Sequence, residues 1–254
     1  MLQPTEQERT DMSALVSILT PEQVAHFHSQ GYVVVPDLLT AEEVDAFVHH
    51  TPEGSFGLQG HRHDSQYRHL ATHPKVAGGA YQILGGRPRI VQTMYLNKPP
   101  KGGKGIALHQ DSHYLPSDPN TLMACWLALS DTGPDNGGLC VVPGSHLQGL
   151  RSAHRTRNEA DHVSWVHDYL MRDRDGREWM QTMFSFEIDD LDPADILRLT
   201  VPCGAGVFFS GMVIHGSFAN ESADRPRRAF AVHYVREDTW LLRADVQDTM
   251  LIEG

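Results

Sequence analysis

Two imidazoles and one carboxylate, set far apart along the chain, restrict the folds it can adopt. Leu108-His109-Gln110-Asp111-Ser112-His113-Tyr114 carries a His and an Asp one residue apart, and Val213-Ile214-His215-Gly216-Ser217 supplies a second His roughly a hundred residues later. In an extended segment His109 and Asp111 point to one side, roughly 6.6 Å apart along the strand, and Gln110 points away. Such a pair converges with His215 on one ion only if the fold lays two distant strands side by side. Two His and one carboxylate hold Fe(II) on one face and leave the opposite face open for oxygen chemistry. The chain has 16 His, so a His-x-Asp string alone is easily accidental. His61-Arg62-His63-Asp64 has metal-like spacing but no partner motif, and reads as the surface of a lid.

The hydrophobic pattern agrees with strands brought together in sheets. Thr20-Pro21-Glu22-Gln23 is a capping box with Pro at the first helical position, and the helix it opens runs to about Gln30, where Gly31 stops it. Tyr32-Val33-Val34-Val35 reads as a buried strand. Thr40-Ala41-Glu42-Glu43 repeats the capping box and places Val44, Phe47 and Val48 on one helical face. Residues 1–50 thus read as a loosely held arm with some helix (1–19), then helix, strand, helix. Residues 51–73 turn polar and rich in Gly and His, as expected of a lid loop. A helix near Lys75–Leu84 precedes short β-rich runs at Arg89–Leu96, Leu122–Leu129, Gly138–Val142, Leu197–Val201, Ala205–Phe209 and Ala229–Val235. Gly, Pro, Asn and Asp punctuate these runs, which points to an antiparallel sandwich or jelly roll over 89–236. Residues 150–195 interrupt the rhythm. They are strongly charged, with Trp165, Trp179, Phe184 and Phe186 scattered among the charges, and read as an inserted wall with some helix. At 254 residues the whole chain 1–254 is expected to form one mainly β domain with flanking helices.

Charge and cysteine content narrow the functions. The formal charge of −11, with no run of Lys or Arg, disfavours nucleic acid and anionic membrane as partners. No apolar stretch approaches the ~20 residues that span a bilayer. Cys125, Cys140 and Cys203 lie far apart and form no CxxC pair, so they read as reduced thiols. Met1–Thr10 is polar, with neither a secretory nor a transit composition, and a cytoplasmic enzyme acting on a small molecule is expected. Nothing in the sequence names an oligomeric state.

Thr93-Met94-Tyr95-Leu96-Asn97-Lys98-Pro99-Pro100, the His109–Tyr114 segment, Val142-Pro143-Gly144-Ser145-His146, and His215-Gly216-Ser217 with Asn220 and Arg227-Arg228-Ala229 occur in that order. Together they resemble the phytanoyl-CoA dioxygenase family of Fe(II)/2-oxoglutarate oxygenases over about residues 90–236. The resemblance implies a double-stranded β-helix of the jelly-roll, cupin-like kind, with Fe(II) held by His109, Asp111 and His215. It also implies that 2-oxoglutarate chelates the iron while an Arg on a late strand anchors its far carboxylate. Arg225, Arg227 and Arg228 compete for that role. Matching the Arg-Arg-Ala run to the family selects Arg227 and puts Ala229, Ala231 and His233 on the same inward face. An Arg suits the task because its planar fork pairs two-to-two with a carboxylate. Similar carry-over makes Met94, Gln110, Trp126 and Ser217 co-substrate contacts, and His113, Tyr114 and His146 substrate contacts.

The expected reaction consumes dioxygen and 2-oxoglutarate and hydroxylates an unactivated C–H of a small molecule, releasing succinate and carbon dioxide. Asp111 fills the position that is small in halogenating relatives, which favours hydroxylation over halogenation. The competing reading is a non-oxidative cupin-like isomerase or small-molecule-binding protein holding a metal, and such a site has no need of the late Arg.

Overall fold

The computed structural model describes residues 16–51 and 57–253; most of the expected N-terminal arm, residues 1–15, lies outside them. The first helix, α1 (Pro21–Gln30), begins as its sequence dictates: Thr20 Oγ1 accepts from Gln23 N–H and Gln23 Oε1 accepts from Thr20 N–H. It ends at Gly31, whose φ of 83° is a left-handed conformation that Gly adopts without a Cβ penalty. Strand β1 (Tyr32–Val35) follows, then α2 (Ala41–His50) with the same reciprocal cap between Thr40 and Glu43. Each such cap contributes about 1 kcal/mol.

The expected loop at 51–73 is instead helical in its second half. Two short helices, α3 (Gly60–His63) and α4 (Ser65–Ala71), occupy it, and Asp64 caps the second by accepting from the Gln66 and Tyr67 amides. Tyr67, Leu70 and Ala71, spaced three and four apart, are fully buried, so the segment is part of the core. His61 is likewise buried, against Thr93, and is not lid surface. Helix α5 (Pro74–Leu84) completes this layer, and its Gln82 side chain ties down the backbone of Ile18 and Leu19.

Two antiparallel sheets form the rest of the core. Strands β2 (Pro88–Lys98), β3 (Ile106–His109), β4 (Met123–Ala128) and β5 (Leu139–Val142) come first. After the insertion come β8 (Gly206–Ser210), β9 (Ile214–Ser217) and β10 (Arg227–Arg236). The larger sheet runs β1-β8-β4-β10-β2 and is closed at its edge by Met250–Leu251. The smaller runs β5-β9-β3, with Leu197–Arg198 beside β5. This is the jelly roll expected from the spacing of short strands.

Alternation along β10 divides the interior in two. Phe230, Val232 and Tyr234 face the helices, where Phe47, Tyr67 and Phe230 meet with ring centroids 5.2–5.3 Å apart. Ala229 and Ala231 face the other sheet with Trp126, Leu139, Val141 and Phe209. Fully burying a large apolar side chain contributes about 1.5–3 kcal/mol, so the helical layer holds the larger sheet firmly.

The 150–195 insertion is a β-hairpin without α-helix. Strand β6 (Val166–Arg172) pairs with β7 (Glu178–Phe184). Tyr169 and Met171 from β6, and Trp179 and Met183 from β7, pack with Phe186 and Tyr114, while Asp168, Glu178 and Thr182 share the exposed outer face with Val166, Leu170 and Met180.

Candidate active site

Register places the ligands. His215 on β9 is the direct partner of His109 on β3, and the two ring centroids lie 4.4 Å apart. The ladder ends at His109; Gln110 is extended, and Asp111 opens a single 3₁₀ turn through His113. Asp111 Oδ1 lies 3.4 Å from His109 Nε2 and 3.6 Å from His215 Nε2. One ligating atom from each residue falls within 4.8 Å of the others, and all three residues are buried. Among the described residues no other group of three His, Cys, Asp or Glu does this.

The atoms behind these ligands fix their chemistry. His109 Nδ1 sits 2.7 Å from the Ala107 carbonyl and His215 Nδ1 3.1 Å from that of Val213, so each Nδ1 carries the proton and each Nε2 presents a lone pair. His233 Nε2 lies 2.9 Å from Asp111 Oδ2, which leaves Oδ1 for an ion. Burial pushes the His215 imidazole down to about 4, which keeps it a neutral ligand. Burial opposes charge on Asp111, yet the neighbouring His215 and His233 imidazoles and the hydrogen bond from His233 hold its carboxyl well below the usual carboxylate range. Two neutral imidazoles and one carboxylate on one side of a cavity fit Fe(II) with open positions opposite.

The cavity beside these ligands measures about 110 Å³ and is lined by Met94, Trp126, Ser217, Arg227, Ala231 and His233, among others. That volume suits a small keto acid and is too small for a large substrate. Arg227 is buried, donating from Nε to the Gly137 carbonyl and from Nη1 to that of Leu96. Its rivals lie elsewhere: Arg225 is exposed and paired with Asp135, and Arg228 sits outside the cavity, its amide donating to Ser130. Met94, Trp126 and Ser217 line the cavity. Gln110 does not. Its side chain donates to the Gly149 and Met212 carbonyls and accepts from the Arg151 amide, pinning the ligand segment from behind.

The three expected substrate contacts separate. Tyr114 stacks edge-on beside His109 at 5.3 Å, and its hydroxyl accepts from the Phe186 amide, carrying the insertion to the ligand. His113 faces the Arg151 carbonyl and stacks on Phe186, and His146 faces the His28 carbonyl at the end of α1. None of the three lines the cavity. The strand pattern puts His233 on the inward face without giving it a partner, and it does not single out Lys98, which lies buried with Nζ 2.7 Å from Ser217 Oγ. Strand alternation counted from Met94 through Leu96 would have found Lys98.

Jelly roll, facial His-Asp-His set and adjoining cavity define an Fe(II)- and 2-oxoglutarate-dependent oxygenase. The phytanoyl-CoA dioxygenase (PhyH) family model matches residues 48–229, and the chain belongs to that family. It is 25% identical to the phytanoyl-CoA dioxygenase of Arabidopsis thaliana over 92% of this chain and 97% of that protein. It is 31% identical to phytanoyl-CoA dioxygenase domain-containing protein 1 of Mus musculus, over 72% of this chain but only 58% of the mouse protein. Among solved structures it resembles the non-heme alpha ketoglutarate dependent carbocyclase SnoK from nogalamycin biosynthesis, at 26% identity, TM-score 0.65 and coverage of 92% and 91%. It shares its fold with EvdO2 from Micromonospora carbonacea var. aurantiaca complexed with 2-oxoglutarate, at 17% identity, TM-score 0.66 and coverage of 92% and 97%. Among the described residues no helix is long and apolar enough to cross a membrane.

Proposed function

We propose that this protein hydroxylates an unactivated C–H bond of a small molecule, with 2-oxoglutarate anchored by Arg227. The observation that carries the reading is one cavity with the His109–Asp111–His215 ligands and a buried guanidinium on its wall. Iron bound there supplies dioxygen activation coupled to decarboxylation of the keto acid to succinate. The chain supplies placement. Arg227 offers a planar fork to the far carboxylate, Trp126 and Met94 shape the channel between, and the Ala229 and Ala231 side chains leave room for it.

The substrate meets the open face from the side of the insertion. Tyr114 joins His109 to Phe186 and Trp165, with ring centroids 5.0 and 5.6 Å away, so the hairpin root forms an aromatic wall beside the ligand set. A carboxylate at position 111 favours oxygen transfer over halogenation. The non-oxidative isomerase reading gives no role to Arg227. We place the enzyme in the cytoplasm as a single catalytic domain, a reading in keeping with the three free cysteines.

The test is product analysis by mass spectrometry on a panel of small molecules, with iron, 2-oxoglutarate and labelled dioxygen. Gain of one labelled oxygen supports hydroxylation. Loss of two hydrogens or an isomeric product, with succinate still formed, would replace it by desaturation, ring closure or epimerisation. SnoK, described as a carbocyclase, and SnoN, described as an epimerase, make those outcomes concrete.

A further inference from the structure

Lys98 and Arg227 are direct partners at the end of the β2–β10 ladder, and both side chains are buried, at 5% and 3% exposure. Like charges directly opposite on neighbouring strands are destabilising, and burial adds to the penalty. Among the described residues no Asp or Glu pairs with either one. Lys98 Nζ donates instead to Ser217 Oγ at 2.7 Å and to the Phe218 carbonyl at 2.6 Å. Asn220 holds this arrangement from below, donating to the Lys98 and Arg225 carbonyls. Ser217 lines the cavity together with Arg227, whereas Lys98 stands behind it.

We propose that Lys98 is a positioning residue that makes the cavity selective for a dicarboxylate keto acid. With the Lys98 amine occupying a lone pair of Ser217 Oγ, the Ser217 proton is turned toward the cavity, where it donates to the far carboxylate gripped by Arg227. The second positive charge behind Ser217 adds attraction that a keto acid with one carboxylate cannot use. The inference rests on the proposed role of Arg227.

Proton linkage gives an independent readout. Burial, with Arg227 beside it, pushes Lys98 down to about 6, and the Cys140 thiol pulls weakly the other way. Arg227 from β10 and Cys140 from β5 are the ionisable groups that face it. A bound carboxylate favours the ammonium form, so binding near neutral pH takes up a proton.

The experiment is anaerobic calorimetry on the Fe(II) protein with 2-oxoglutarate and with pyruvate, in two buffers of different ionisation enthalpy. Wild type is expected to prefer 2-oxoglutarate and to take up a proton with it. Lys98→Met should weaken 2-oxoglutarate by about ten- to a hundred-fold, the span for losing a hydrogen bond to a charged group, and abolish the proton uptake. Pyruvate binding should not change. In a Ser217→Ala background the Lys98→Met change should weaken 2-oxoglutarate less than it does in wild type, because only the charge is then lost. Unchanged 2-oxoglutarate affinity in Lys98→Met, or equal weakening of pyruvate, would overturn the role of Lys98. Wild type without preference for 2-oxoglutarate over pyruvate would instead overturn the reading of Arg227. A cooperative melting transition of the metal-free Lys98→Met protein shows that the variant folds, so a loss of 2-oxoglutarate affinity reads the site rather than the fold.

Discussion

His233 Nε2 stands 2.9 Å from Asp111 Oδ2, and this contact decides which carboxylate oxygen faces the metal. Gln92 Nε2 lies 3.5 Å from His233 Nδ1, which keeps the His233 proton on Nε2. His233→Ala should therefore lower metal affinity by about ten- to a hundred-fold, as loss of a ligand's hydrogen-bond partner does. Competition with a chelator measures it; unchanged affinity would mean that Asp111 is oriented by its turn alone.

Gly216 separates His215 from Ser217 where the pairing of β9 with β3 shifts register. A Cβ there would stand 2.7 Å from the Ile106 carbonyl and 3.1 Å from that of Ala107, both backbone atoms. Gly216→Ala is expected to push the strands apart, costing about 1–3 kcal/mol of stability and separating His215 from His109. Thermal unfolding and metal titration should fall together. Loss of stability with full metal affinity would show that the strand pair adapts.

Acid should destabilise the metal-free protein before Asp111 titrates. Burial holds His215 and His61 at about 4, against 6.5 for a free imidazole. Above 6.5 both are neutral folded or unfolded and contribute no pH dependence. Below it the unfolded chain binds the protons that the folded chain refuses, so stability falls from pH 6.5 toward 4. A scanning measurement across that window should show the melting temperature dropping, with a smaller drop in His61→Gln. A flat or rising profile would contradict the buried neutral state.

Arg227→Lys should raise the 2-oxoglutarate requirement by about ten- to a hundred-fold, because an ammonium replaces a fork that pairs with both carboxylate oxygens. The variant should recover turnover at high 2-oxoglutarate. Steady-state KM and kcat separate the outcomes: a loss confined to kcat would place Arg227 outside the co-substrate site.

What the sequence made legible was local or chemically distinctive. Thr20 and Thr40 announce their helices because a cap and its partner lie three residues apart, and His109, Asp111 and His215 stand out as ligand types. The helices at 60–71 were hidden because Tyr67, Leu70 and Ala71 form a short stripe among His, Arg and Gln. The hairpin at 166–184 was hidden in the same way, since its alternating aromatics are interleaved with charges. Lys98 and His233 sit on readable inward faces of their strands, but what they do there was hidden for a different reason. Their roles depend on the register of β2 against β10 and on which atom of Asp111 faces away from the ligands, and neither is a local property.

Succinate formation from 2-oxoglutarate by the Fe(II)-reconstituted protein under oxygen tests the oxygenase most directly, run beside Asp111→Ala and His215→Ala. The account predicts succinate release, slow without a primary substrate, that both substitutions abolish. No succinate from the wild-type protein, or equal release from both variants, would contradict it.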